Sequence, residues 1–128
     1  NAKVWKAGEG WSYADELPII PINGMPSVNE YAFFHKESKS LIVTDLCFNL
    51  LNAKGIGAWI ILKLFGTYHQ FGVSKLFAKQ IKNKGEFEKS ISQIFSYDFE
   101  NIILAHGEIV QGNAKSMLKT ALQKRNLI

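Results

Sequence analysis

Val28-Asn-Glu-Tyr-Ala-Phe-Phe-His35 and Leu41-Ile-Val-Thr44 are two runs rich in β-branched and aromatic residues, separated by the polar stretch Lys36-Glu-Ser-Lys39. Strand formers on both sides of a short polar segment predict a β-hairpin. Its second strand runs straight into Asp45. Upstream, Leu17 to Ile22 contains Pro18 and Pro21, which suits an extended edge or a loop, and Asn23-Gly24 is a turn signal. Ala2-Lys-Val-Trp5 reads as a short strand closed by Gly8 and Gly10.

Downstream the periodicity becomes helical. Gly55 and Gly57 precede an apolar helix over about Ala58–Phe65, apolar nearly all round and therefore buried or shared with a partner. Val73, Leu76, Phe77 and Ile81 then fall on one face, with Lys75, Lys79 and Lys82 opposite. Glu86 to Phe95 forms a further helix with a Phe87, Ile91, Ile94 and Phe95 stripe. Ile102 to Ala105 reads as a buried strand leading into His106-Gly107. Asn113 is the expected N-cap of a last helix with Ala114, Met117, Leu118, Ala121 and Leu122 at helical spacing, and Lys124 and Arg125 in its last turn. Strands, a helical middle, one strand and one helix make an α/β or α+β domain with helices over a sheet.

At 128 residues, 47% hydrophobic and 20% charged, residues 1–128 suit a single domain with a core of its own. The lone Cys47 excludes a scaffold of internal disulfides and favours a reducing, cytoplasmic setting. No signal peptide is visible at the start of the sequence. The longest apolar stretch, Ile56 to Phe65, is interrupted by Lys63 and is far short of the ~20 residues a membrane-spanning helix needs. The net charge of +4 arises in residues 65–128, which hold nine Lys and Arg against five acids. These cations spread along amphipathic segments without interleaved aromatics, so they read as solvated helix faces and not as a nucleic-acid surface. Lys75, Lys79, Lys82, Lys115 and Lys119 carry the weaker alternative, an anion-binding surface.

Two residues stand out chemically. Asp45 ends an apolar strand, and a carboxylate there needs a partner, a hydrogen bond or a metal. His106 ends another apolar strand, with Gly107 behind it to permit a sharp turn. Sites in open α/β sheets gather at the carboxyl ends of strands. Taken singly, each residue is better explained by a cap or a turn. His35 and His69 read as surface or capping residues, Cys47 as a small buried hydrophobe before a soft metal ligand, and Trp5, Trp11 and Trp59 as core or interface residues.

Leu41-Ile-Val-Thr-Asp-Leu-Cys-Phe-Asn49 resembles the strand-to-Asp motif of the metallo-β-lactamase superfamily, and Ile102-Ile-Leu-Ala-His-Gly-Glu108 resembles its last motif, in the same order. The chain is most similar to a subgroup of uncharacterised proteins in that superfamily, which carry a Glu-aromatic-Phe-His-turn-Leu-Ile-Val-x-Asp hairpin like Glu30 to Asp45. The likeness spans residues 28–124 and about the C-terminal half of the family's fold. It implies half of an αββα sandwich, a mixed sheet with helices on one face. It implies Asp45 and His106 as metal ligands, with Thr44 and Gly107 shaping their backbone. The implied cofactor is zinc, or iron or manganese, in a site that this chain leaves incomplete.

The departure is equally specific. The family's His-x-His-x-Asp-His signature, which supplies most ligands, is absent, and the separate His ligand that follows it has no clear match. A catalytic zinc commonly takes three protein ligands and an open position. The expectation is therefore a metal-dependent hydrolase-like domain of unknown substrate, active only with a missing N-terminal metal-binding segment. That segment would come from the N-terminal half of the same protein or from a second subunit. The start at Asn1 suits a fragment. The alternative is a degenerate, non-catalytic binding or interaction module, using the sandwich face left open and the Ile56–Phe65 helix.

Overall fold

The computed structural model describes residues 10–51, 54–66 and 70–128, and only the backbone at 58, 59, 61, 62 and 65. In chain order the elements are β1 (Ile19–Ile22), β2 (Glu30–His35), β3 (Ser40–Val43), α1 (Ile56–Phe65), α2 (Lys75–Gln80), α3 (Lys84–Ser96), β4 (Asn101–Leu104) and α4 (Ala114–Gln123). The fold is α+β around a four-stranded mixed sheet in the order β1-β2-β3-β4. The expected Ala2–Trp5 strand and His69 lie outside the described residues, as does the side chain of Trp59.

The hairpin forms where the sequence places it. β2 and β3 pair antiparallel, with Phe33 opposite Ile42 and His35 opposite Ser40. His35 Nδ1 lies 2.7 Å from Ser38 Oγ across the turn, a capping role. The proline-bearing segment is an edge strand: β1 pairs only with β2, and Pro21 registers with Tyr31. An edge is where a residue without an N–H can sit in a sheet. β4 joins β3 in parallel, with Val43 opposite Leu104.

Alternation along the strands sorts the two faces of the sheet. Ile20, Ile22, Ala32, Phe34, Leu41, Val43, Ile102 and Leu104 are buried, against Phe87, Ile91 and Ile94 of α3 and Leu118 and Leu122 of α4. The opposite face carries one apolar row across all four strands, Ile19–Phe33–Ile42–Ile103. Trp11 packs beside Phe33 on this side, its ring centroid 6.4 Å away, and donates through Nε1 to the Leu17 carbonyl.

Three details differ from the sequence reading. α2 is only six residues long, so Val73 precedes it, and Leu76 is 52% exposed although Phe77 is buried. Asn113 does not cap α4 with its side chain. It takes a left-handed backbone after Gly112, itself left-handed, and the Gly112 N–H is instead held by Asn101 Oδ1. α4 ends at Gln123, and Arg125 lies beyond it, donating to the carbonyls of Val73 and Gly66. Among the described residues, no helix is long and apolar enough to cross a membrane.

Candidate functional site

Parallel pairing of β3 and β4 sets their carboxyl ends side by side. Val43 and Leu104 are partners in the ladder, and Asp45 and His106 each follow two residues later. The two sequence-predicted site residues therefore meet. His106 Nε2 lies 2.8 Å from Asp45 Oδ1. A carboxylate only accepts, so the imidazole N–H donates in this pair. Both side chains are about half exposed, 54% for Asp45 and 45% for His106, and so remain open to a ligand.

Each member is held by its own backbone device. On the Asp45 side the device is Glu30. As the first residue of β2 it shares the inward face with Ala32 and Phe34, and its carboxylate is buried. Glu30 Oε1 accepts from the backbone N–H groups of Thr44 at 3.0 Å, Asp45 at 3.0 Å and Leu46 at 3.3 Å. Its second oxygen accepts from the Thr44 hydroxyl. One buried anion thus satisfies the chain as it leaves β3, and buried carboxylates persist only when bonded in this way.

On the His106 side the device is Gly107, whose φ is +123°. A Cβ there would lie 2.2 Å from the Asn49 carbonyl oxygen, so only glycine fits. Asn49 stitches the two loops together. Its N–H donates to the His106 carbonyl, its side-chain amide to the Glu108 carbonyl, and its own carbonyl accepts from the Glu108 N–H. Phe48 stacks on the His106 ring, with centroids 4.9 Å apart and planes 10° from parallel. Phe48 is in turn anchored by two backbone hydrogen bonds with Gly72.

Thr44 precedes Asp45 and is tied to Glu30 through its N–H and hydroxyl, and Gly107 turns the chain directly after His106. Cys47 does not join the pair. Its side chain is fully buried in the core, and burial, with the nearby Glu30 charge second, pushes its thiol far above the ordinary value. A protonated, enclosed thiol is not a metal ligand. Sequence reasoning quoted Glu30 only as part of the hairpin and missed its role, along with those of Phe48 and Asn49. The signal for Glu30 was available: strand alternation puts it on the same face as Phe34.

No protein-family model matches this chain, and no curated protein is significantly similar to it.

The donor types fit a divalent transition metal. An imidazole nitrogen and a carboxylate oxygen converge, are accessible and have backbone support, the donor chemistry that zinc, iron and manganese accept. Among the described residues, no third His, Cys, Asp or Glu joins them in a cluster of metal-site size.

Proposed function

We propose that Asp45 and His106 are two ligands of a metal-dependent hydrolase-like site, completed by donors from outside the described residues. The observation that carries this reading is the 2.8 Å approach of Asp45 Oδ1 to His106 Nε2 at adjacent parallel strand ends. A bound zinc, iron or manganese ion would supply a water of lowered pKa for hydrolysis. The chain's own contribution is positional. Glu30 fixes the backbone of Asp45, Gly107 and Asn49 fix that of His106, and Phe48 holds the imidazole plane. To ligate through Nε2, His106 would present the lone pair of that nitrogen with the ring proton carried on Nδ1, and would give up its bond to Asp45.

The sheet's outer face supports the larger architecture, a metallo-β-lactamase-like sandwich. The row Ile19–Phe33–Ile42–Ile103 is apolar across four strands, as a face packed against a second layer would be. Elemental analysis of the longest native form of the protein tests the site. Near-stoichiometric zinc, iron or manganese is expected, with a loss in both Asp45→Ala and His106→Ala. Metal content unchanged in the two variants would sink the assignment.

A second reading, a non-catalytic interaction module, is favoured by one feature of α1. Ile56, Ile60 and Leu64 recur every fourth residue and are 80%, 45% and 67% exposed. A protein that stays metal-free after reconstitution supports this reading over the first.

A further inference from the structure

Beside the Asp45–His106 pair lies a hollow of about 350 Å³. That volume is at the lower end of small-molecule sites. Phe48 joins the two features: one ring stacks on His106 and also lines the hollow. The other apolar walls come from Val28, ahead of β2, and from Leu76 and Phe77 of α2. Ser27 and Gln80 add neutral polar groups. The Ser74 hydroxyl is already engaged, accepting from the Phe77 N–H as the cap of α2.

Charge decides what the hollow takes. Asp45 is the one charged residue among the described residues that line it, and no Lys, Arg or His does. In the metal-free protein, a phosphate or carboxylate placed there would meet a like charge without a compensating cation, in a partly desolvated space. An uncharged acyl or aryl group meets Phe48, Leu76 and Phe77. The position of Leu76 agrees with this. It is a large apolar side chain that helix periodicity would turn inward, yet it is 52% exposed on the wall of this hollow.

We infer that the hollow is the subsite for an uncharged apolar acyl or aryl group of the substrate, attached to the bond that reacts at the pair. Its role as a substrate subsite rests on the pair being the reacting centre. Its preference for neutral apolar groups does not, and it can be read without metal.

The test is a two-dimensional NMR titration of the metal-free full chain with acetanilide and with phenyl phosphate, which share a ring and differ in charge. Acetanilide should give saturable shifts at the amides of Val28, Leu76 and Phe77. Phenyl phosphate at the same concentrations should leave them in place. Leu76→Ala, at an exposed position that tolerates truncation, should weaken acetanilide about fivefold through lost apolar contact. Saturable shifts with phenyl phosphate at equal or lower concentration, or none with acetanilide, would overturn the inference. Metal content of Asp45→Ala reports separately. Metal retained in that variant removes the ligand assignment and leaves the preference of the hollow standing, whereas metal lost without acetanilide binding removes the subsite alone.

Discussion

The carboxylate of Glu30, buried under the end of β3, accepts a hydrogen bond from the backbone N–H of Asp45 at 3.0 Å. The same oxygen holds the N–H groups on either side, so the orientation of Asp45 depends on a residue fifteen positions away. Glu30→Ala leaves one buried and two partly buried backbone donors without this acceptor. The expected loss is about 2–4 kcal/mol of folding stability, since unmade buried bonds to a charged group are costly. Glu30→Gln keeps an acceptor oxygen and should lose less. Urea denaturation of the two variants checks the order, and equal losses would remove the carboxylate-specific argument.

Asp45→Ala and His106→Ala should behave differently. Both side chains are about half exposed, and exposed ion pairs contribute at most about 1 kcal/mol. The variants should therefore melt close to the parent in the metal-free state. A large drop in Tm for either would mean that the pair is structural, and metal loss could then be assigned to unfolding.

The elements of this fold were legible because each advertises itself locally. The Lys36–Lys39 turn between strand formers marks the hairpin, and the Ala114–Leu122 spacing marks α4. The pair of strand-end residues was legible too, since Asp45 and His106 each follow an apolar run. No local signal carries their closeness, which only the resemblance implied, because it depends on the parallel β3–β4 register that joins segments about sixty residues apart. Alternation with Phe34 turns Glu30 inward, but its partners were hidden for a related reason, because its three backbone donors come from a different strand end. Asn113 reads as a cap by residue type alone, but the left-handed turn begun by Gly112 leaves its side chain without the capping bond.

Gly107→Ala should be more damaging than its exposed position suggests. The added methyl would meet the Asn49 carbonyl at 2.2 Å, with φ at +123° where L-residues are strained. A cost of about 1–3 kcal/mol follows from the strain alone. The His106–Asn49 bond should be disturbed with it, so the NMR shifts of the His106 ring should move as well. An unchanged Tm and an unmoved ring would show that the loop relaxes freely.

Cys47 gives the chain a stability that depends on alkaline pH. Burial raises the thiol well above its ordinary value of 9.0, so the folded state keeps its proton where the unfolded chain releases it. The unfolded state then binds fewer protons, and stability falls as pH rises. The contribution is fully present below pH 9 and is lost progressively above it, at up to about 1.4 kcal/mol per pH unit. Lys39, raised by its bond to Glu100, adds a loss of the same sign at higher pH, so the difference between parent and variant is the quantity to measure. Cys47→Ala should be less stable than the parent at pH 7, because it opens space in the core, yet its stability should decline more slowly between pH 8.5 and about 10. Urea midpoints across that range decide the matter. Parallel declines in the two proteins would show that the thiol reaches solvent, against its burial in the core.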